Sequence, residues 1–262
     1  MKISLSIVTF NNSSELSELF TSIQKTETDH LISDIYVVDN ASTDSTKNIV
    51  KAFQKNLKNL HLIENQNNKG FGAAHNQAIL AAQSSYHVIC NPDIKFKNNS
   101  LKSLIDYLEI RPQIGLVAPK VVYPNGNLQL LNRRFPTLVD LAVQRLGKYL
   151  PPSFCENRTT RYLMKDCDYS KELDVPCLSG CFLLGRTGLL KSLGGFDLTY
   201  FLYFEDFDLC QKIRESNYRT VYSPVAEVEH LWARNSHKKW IHTWYFITSA
   251  FKFFNRWGWK LY

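Results

Sequence analysis

Short apolar runs alternate with amphipathic stretches along the N-terminal half of the chain. The apolar runs predict strands at residues 3–10, 34–38, 60–63, 86–90 and 115–118. Apolar residues at helical spacing predict helices at residues 12–23, 43–54, 70–82 and 101–108. This order is typical of βαβ units. We therefore predict an α/β fold with a mostly parallel central sheet flanked by helices.

The pattern weakens over residues 123–175, where it is interrupted by Pro124, Gly126, Pro136, Pro151 and Pro152. We interpret this stretch as an insertion and not as a second sheet. Periodicity resumes with strands at residues 181–184 and 220–222 and helices at residues 187–193 and 205–214. We assign residues 1–235 to one domain, since 262 residues with 44% apolar content suffice for one α/β core.

Residues 236–262 form a basic, aromatic tail. Six Lys or Arg and no acids follow His230, which leaves 25 basic against 24 acidic residues before it. Ten aromatic residues lie between Lys238 and Tyr262. Nucleic-acid binding requires basic residues spread over a folded face, so we exclude it. The mixture of basic and aromatic side chains suits binding to an anionic membrane surface instead.

The tail is predicted to be an amphipathic helix. Its apolar stripe consists of Trp240, Trp244, Ile247, Phe251 and Phe254. The candidate span of about twelve residues is too short to cross a bilayer, which takes about twenty. We expect an interfacial helix, and packing on the domain is the alternative. The first apolar run is too short and polar for a signal peptide, so we expect a cytoplasmic protein at the inner membrane face.

The six cysteines include no CxxC pair. In a chain with a core of this size, we expect free, mostly buried thiols. A zinc site that uses Cys177 and Cys181 is the alternative, but their spacing matches no common structural pattern.

Polar residues end several predicted strands. Ligands of open parallel sheets bind beyond the carboxyl ends of the strands. Asp39 follows the second strand and Asp93 the fourth. The first can accept a hydrogen bond from a pyrimidine base or ribose, and the second can hold a metal against a diphosphate. Each alone fits a helix cap or turn, but their joint placement favours a nucleotide site.

A glycine-rich segment, residues 67–76, follows the third strand. Gly70 and Gly72 allow the backbone to approach a ligand closely. The segment almost matches a dinucleotide fingerprint, with Asp93 about twenty residues further on. His75 in place of the third glycine, and the location at the third strand, argue against NAD.

Three acids, Glu205, Asp206 and Asp208, open a predicted helix among aromatic residues. Acids in a first helical turn often serve only as partners of the helix dipole. A carboxylate presented among aromatic side chains also suits a general base.

Together these motifs resemble the GT-A-fold glycosyltransferases of family 2, and among them the bacterial rhamnosyltransferases of O-antigen and cell-wall assembly. The resemblance rests on residues 6–11, 37–44, 68–76, 91–93, 134–136, 180–183, 194–197, 205–208 and His230. It implies a nucleotide-diphospho-sugar transferase fold that covers residues 3 to about 236.

The resemblance also implies roles for individual residues. Asp39 contacts the base, and Asp206 is the catalytic base, placed by Glu205 and Asp208. The other donor residues are Thr9, Phe10, Asn11, Asn68, Gly70, Gly72, Asn76, Asn91 and Asp93. Asp93 holds one divalent metal, Mg²⁺ or Mn²⁺, although Asn91 replaces the first acid of the Asp-x-Asp motif. His230, with Ser236, resembles a late histidine motif near the metal and phosphates, without its usual glycine.

By the same resemblance, the chain is an inverting transferase that moves rhamnose from dTDP-rhamnose to a polyprenyl-diphosphate-linked saccharide. Only one attacking group needs activation, whereas a glycoside hydrolase also needs an acid. Arg133, Arg134 and Tyr203 are candidates for acceptor binding, and solvated surface charges are the alternative for the arginines. A family 2 enzyme that uses a UDP-sugar remains open, as does a non-catalytic sugar-nucleotide binder.

Overall fold

The computed structural model describes residues 2–25, 29–231 and 240–262. The strands are β1 Ile3–Thr9, β2 Ile32–Asp39, β3 Leu60–Glu64, β4 Tyr86–Cys90, β5 Ile94–Phe96, β6 Ile114–Val122, β7 Leu173–Asp174, β8 Phe182–Arg186 and β9 Arg219–His230. The α-helices are α1 Ser13–Lys25, α2 Thr46–Phe53, α3 Phe71–Ala81, α4 Ser100–Glu109, α5 Leu138–Leu146, α6 Pro152–Tyr162, α7 Thr187–Ser192, α8 Glu205–Glu215 and α9 Trp240–Trp257.

The strands form one sheet in the order β3-β2-β1-β4-β8-β6-β9-β5, and β7 pairs with β9. Strands β1 to β4 pair in parallel, as the βαβ pattern predicts. Strand β8 runs antiparallel to both β4 and β6, while β6 and β9 are parallel. The sheet is therefore parallel in its N-terminal half and mixed beyond it.

Strands β5 and β7 were not predicted, and β6 and β9 are longer than predicted. Strand β5 was not predicted, because three residues are too few to show a period. Strand β6 continues to Val122, past the predicted end at Ala118. Strand β9 runs to His230, far beyond the predicted residues 220–222. Its second half carries acids on the exposed face, where Glu227 pairs with Lys97 and Lys120, so its apolar run is interrupted.

Helices cover both faces of the sheet. One core cluster joins β1 to apolar residues of α1, α2 and α4, such as Leu19, Val50 and Leu104. A second cluster joins β6 and β8 to α3, α7 and α8 through residues such as Ile79 and Leu209. The predicted amphipathic helices of the N-terminal half therefore bury their apolar faces against the sheet.

Within residues 123–175 lie two α-helices and the short strand β7. Helix α5 begins with a capping box in which Thr137 and Asp140 exchange hydrogen bonds. Arg158 of α6 pairs with the buried Asp140 at 2.8 Å, which ties the two helices together. Among the described residues, this stretch adds only β7 to the sheet, so it contains no second sheet.

Helix α9 has 18 residues, more than the predicted twelve. Ala250, Phe253 and Phe254 pack against Tyr200 and Phe204, so one face of the helix is part of the domain. An adjoining face is exposed and includes Trp240, Trp244, Ile247 and Phe251. None of the described helices has the length and hydropathy that crossing a membrane requires.

Parts of two predictions lie outside the described residues. They are the domain border at residues 235 and 236 and the tail residues Arg234, Ser236, Lys238 and Lys239. All six cysteines are free thiols, and Cys90, Cys177, Cys181 and Cys210 are buried.

Candidate active site

A cavity of about 670 Å³ lies at the carboxyl ends of β1, β2 and β4. Five of the predicted donor residues line it, namely Phe10, Asn68, Gly70, Asn91 and Asp93. Ile241, His242 and Tyr245 of α9 form another part of its wall. The cavity volume falls within the range of small-molecule sites.

Two tight turns shape the end of the cavity at β1 and β2. Asn11 and Ala41 have positive φ angles of 59° and 64°, which non-glycine residues rarely adopt. The Asn11 side-chain oxygen accepts a hydrogen bond from the Thr43 backbone N–H at 2.8 Å, which joins the two turns. Asn40 donates to the Gly70 carbonyl at 3.1 Å. These hydrogen bonds fix the backbone around the predicted nucleotide pocket.

Asp39 is wholly buried beneath this cavity. Its carboxylate accepts hydrogen bonds from the Thr9 hydroxyl at 3.1 Å and from the Ser42 backbone N–H at 3.0 Å. Asp39 and Thr9 therefore hold the turns that surround the pocket. A direct contact between Asp39 and a base stays a prediction.

The glycine-rich segment mainly contacts the protein itself. Gly70 has φ 85°, and a Cβ atom there would lie 2.3 Å from the Phe201 carbonyl oxygen. A Cβ atom at Gly72 would lie 2.6 Å from the Phe196 Cβ. Asn76 accepts from the Phe196 N–H and donates to its carbonyl, each at 2.8 Å. Gly72 and Asn76 thus fasten α3 to the turn at residues 194–201, while Gly70 also reaches the cavity.

Asp93 and His230 lie side by side, with 3.2 Å between Asp93 Oδ1 and His230 Nε2. The Gln129 side-chain amide nitrogen donates to the His230 backbone carbonyl at 2.7 Å. This orientation places the Gln129 side-chain oxygen 2.9 Å from His230 Nδ1. With this amide orientation Nδ1 donates to Gln129, and Nε2 faces the Asp93 carboxylate.

This pair fits a divalent metal. A carboxylate suits Mg²⁺ and Mn²⁺, and the adjacent imidazole adds a second ligand. In the part of the chain that the structure describes, no cluster of three or more His, Cys, Asp or Glu is placed to hold a metal. A bound ion would thus need further ligands besides Asp93 and His230.

The predicted catalytic acids follow a strained turn. Tyr203 and Phe204 have φ angles of 69° and 66°, and α8 begins directly after them. Consecutive positive φ angles at bulky residues are costly and occur mainly at functional sites. The turn brings Glu205 and Asp206 together at the start of the helix.

Glu205 and Asp206 differ in what surrounds them. Burial, and then the charge of Asp206, raises the pKa of Glu205 to about 8, and Glu205 Oε2 has no hydrogen-bond partner among the described residues. Burial also raises the pKa of Asp206, but the backbone N–H groups of Gly180 (3.1 Å) and Phe207 (2.9 Å) favour its ionised form. The pair is therefore expected to hold one proton on Glu205 and one charge on Asp206.

Asp206 lies next to the cavity wall. Gly180 lies between Asp206 and Phe71, and Phe71 lines the cavity. A Cβ atom built on Gly180 would lie 3.2 Å from the Phe71 ring and 3.6 Å from the Asp206 Cβ. Arg133 is half-buried nearby, with its guanidinium donating to the carbonyls of Leu130 and Asn132. Burial lowers the pKa of Arg133, and the charge of Asp206 opposes this shift.

Two of the other predicted residues have different surroundings. Asp208 is buried and accepts a hydrogen bond from Trp257 Nε1 at 2.8 Å, so it faces α9 and does not line the cavity. Arg134 forms two 3.0 Å hydrogen bonds to Asp166, which engages both of its terminal nitrogens.

Tyr203 lies between the catalytic turn and α9. Its hydroxyl is 3.3 Å from His242 Nδ1, and His242 lines the cavity. The sequence did not predict Ile241, His242 or Tyr245 as site residues. The one sequence signal for this part of the site is a histidine, His242, within the aromatic stripe of the predicted tail helix. Phe71, Phe201 and Glu15 also line the cavity without having been predicted.

The family follows from comparison with known proteins. Residues 4–194 match the family model described as Glycosyl transferase family 2. The chain belongs to this family. The predicted family, and with it the class of glycosyltransferases, is confirmed.

Two relatives are rhamnosyltransferases by name. The N-acetylglucosaminyl-diphospho-decaprenol L-rhamnosyltransferase of Mycobacterium tuberculosis is 30% identical over 208 residues, which cover 75% of this chain and 66% of that protein. Rhamnosyltransferase WbbL of Escherichia coli strain K12 is 28% identical over 171 residues, which cover 62% of this chain and 60% of that protein. The chain thus spans slightly less than two thirds of each.

A solved structure shows the same fold. The mannosyltransferase PcManGT from Pyrobaculum calidifontis, solved in complex with GDP-Man and Mn²⁺, superposes with a TM-score of 0.63. The match covers 93% of this chain and 59% of that one at 20% identity. The predicted GT-A fold is therefore confirmed.

Proposed function

We propose that the chain is an inverting glycosyltransferase that moves rhamnose from dTDP-rhamnose to a polyprenyl-diphosphate-linked saccharide in surface polysaccharide synthesis. The observation that carries the proposal is the arrangement of the strand-end cavity. Asp93 lines it next to His230, and Asp206 lies beside its wall. The names of both relatives support rhamnose, and that of the Mycobacterium tuberculosis relative supports a lipid-linked acceptor.

The donor diphosphate would lie near Asp93 and His230. These two residues would hold one divalent metal, Mg²⁺ or Mn²⁺, which would supply positive charge to stabilise the departing diphosphate. Gln129 orients the imidazole through its hydrogen bond to Nδ1, so that Nε2 faces the same point as Asp93.

Asp206 would act as the general base. Its two backbone hydrogen bonds keep the carboxylate ionised, while Glu205 retains a proton beside it. The acceptor hydroxyl attacks the anomeric carbon, its proton passes to Asp206, and the bond to the diphosphate breaks. Attack from the side opposite the diphosphate inverts the anomeric configuration.

The acceptor would enter from the side of Arg133 and Tyr203. Both lie close to the catalytic acids, whereas Arg134 is engaged by Asp166. The exposed aromatic face of α9 supports docking on an anionic membrane, where a lipid-linked acceptor is located. The inner face of the membrane is the proposed location.

The proposal is tested by incubating the purified chain with an N-acetylglucosamine diphospholipid and either dTDP-rhamnose, UDP-galactofuranose or UDP-hexoses. We expect transfer from dTDP-rhamnose that requires Mg²⁺ or Mn²⁺ and inverts the anomeric centre. Transfer from a UDP-sugar instead would assign the alternative donor. Binding of sugar nucleotides without transfer to any acceptor would contradict the proposed activity.

A further inference from the structure

A second cavity, of about 460 Å³, lies between α5 and α9. Its lining is apolar except for Arg145 and Thr243. The lining residues are Leu138, Leu141, Ala142, Arg145, Leu146, Thr243, Phe246, Ile247, Ala250, Phe251, Phe254 and Trp259. We call this cavity the α5–α9 groove. Leu146, Phe251 and Trp259 are each about half exposed or more, so the groove opens to the surface.

Helix α9 separates the groove from the strand-end cavity. Ile241, His242 and Tyr245 line the strand-end cavity, whereas Phe246 and Ala250 line the groove. Residues three and four apart share one face of a helix, so one helix presents a different face to each cavity. The two cavities are therefore neighbours across a single helix.

One end of the groove approaches the catalytic turn. Arg145 lies over the Phe246 ring, 4.4 Å from its centroid. The Phe246 ring in turn contacts Tyr203 (5.9 Å between centroids) and Phe204 (5.3 Å), the two residues before Glu205. The only charged side chain of the lining therefore lies at the end nearest the catalytic acids.

Arg145 differs from two other arginines of the same segment. Arg134 pairs with Asp166, and Arg158 pairs with Asp140. Arg145 forms no ion pair with an acid within residues 2–25, 29–231 and 240–262. Its position in the last turn of α5 favours a cation, but the helix dipole does not account for the apolar groove beside it.

We infer that the α5–α9 groove seats the isoprenoid chain of the acceptor and that Arg145 contacts its diphosphate. This inference rests on the proposed function and names a place for the lipid part of its acceptor. A long apolar chain that ends in one anionic diphosphate matches a groove that is apolar along its length and cationic at the catalytic end. Binding of a bilayer phospholipid or of a second copy of the chain does not require a groove with a cation at one end. Occupation of the groove by either of them is an alternative outcome of the test.

The first test measures how acceptor KM depends on chain length in detergent micelles, without a bilayer. Two acceptors carry the same diphospho-sugar, one on a long polyprenyl chain and one on a chain of two isoprene units. For the native chain, we expect the long acceptor to have a KM lower by about tenfold, since burying apolar surface favours binding. Ala142→Trp should fill the groove and remove this difference, while the donor KM stays unchanged.

Gln144→Trp is the matched control. Gln144 is exposed on the same helix and hydrogen-bonded to Thr159, outside the groove. This variant should keep the chain-length difference. Equal preference for the long chain in native protein and Ala142→Trp would overturn the inference and leave the proposed function intact. Absence of transfer to both acceptors would count against the proposed function itself.

The second test does not depend on turnover. An isoprenyl diphosphate that carries a photoreactive diazirine is irradiated with the full chain, and the labelled peptides are mapped. We expect labels on α5 and the groove face of α9, and a weaker yield in Arg145→Gln by about tenfold, because a charge-assisted contact is lost. Labels confined to the exposed face around Trp240 and Trp244 would indicate bilayer-like adsorption and overturn the inference.

Discussion

At the scale of single residues, Asp206 and Glu205 have neighbouring carboxylates in different surroundings. Asp206→Asn removes the proposed base but keeps the size of the side chain. We expect kcat to fall by about 10²–10⁴-fold, the usual contribution of a general base, while donor affinity is retained. Steady-state kinetics and a donor titration measure the two effects. Glu215→Gln, an exposed acid at the end of the same helix, is the control and should leave kcat unchanged.

Glu205 makes stability depend on pH. Its pKa lies at about 8 in the folded protein, above the ordinary value of 4.5, because burial disfavours the charged form. The folded state thus binds the proton more tightly than the unfolded chain, and stability falls as the pH rises through this window. Glu205→Gln should raise the Tm at pH 8 and flatten the decline between pH 5 and pH 8. A native chain whose Tm slope over this range equals that of Glu205→Gln would contradict this.

At the scale of elements, the start of α3 depends on a glycine for two reasons. Gly70 has a positive φ, and a Cβ atom there meets the Phe201 carbonyl. Gly126 has a similar φ of 83°, but open space around it. Gly126→Ala should lower the free energy of unfolding by about 1–2 kcal/mol through its backbone conformation alone. Gly70→Ala should lower it by about 1–3 kcal/mol more because of the clash. Urea unfolding compares them, and equal costs would show that the contact with Phe201 is relieved easily.

Helix α9 is fastened to α8 by a partly buried hydrogen bond from Trp257 to the buried Asp208. Trp257→Phe leaves that carboxylate oxygen without its indole donor, so we expect a loss of about 1–3 kcal/mol in the free energy of unfolding. Trp259→Phe removes a similar hydrogen bond between exposed groups, Trp259 and Asn255, and should cost about 0.5 kcal/mol. Equal shifts of the urea midpoint in both variants would refute the anchoring role of Asp208.

At the scale of the whole molecule, the exposed face of α9 forms an aromatic surface beside both cavities. Trp240 is 91% exposed and Trp244 is 62% exposed. Replacing both by Glu should lower co-sedimentation with anionic vesicles by about tenfold or more, since interfacial helices bind through buried apolar area and attraction to anionic lipids. Leu80→Glu changes an exposed apolar residue on α3 and is the control. Unchanged vesicle binding in the double variant would exclude α9 as the docking surface.

The sequence predicted much of the N-terminal half because its signals are local. Strands β1 to β4 and the helices between them show their periods within short windows, and the polar residues that end those strands meet at one edge of the sheet. Asp39 and Asp93 were singled out in this way, whereas Asp206 was singled out in a cluster of acids at the start of a predicted helix. Strand β5 and the second half of β9 were missed, since three residues or an interrupted apolar run carry no clear period.

The sequence alone therefore determined the family, the α/β class and the acids beside the cleft, because each depends on residue type and on spacing along the chain. The tertiary structure decided which way those acids face and what surrounds them. Asp206 and Asp208 are two residues apart on a helix, which turns them about 200° from one another, so only Asp206 lies beside the cavity. The location of α9 between two cavities was likewise decided by long-range packing of Phe253 and Phe254 on Tyr200 and Phe204, which no local pattern contains.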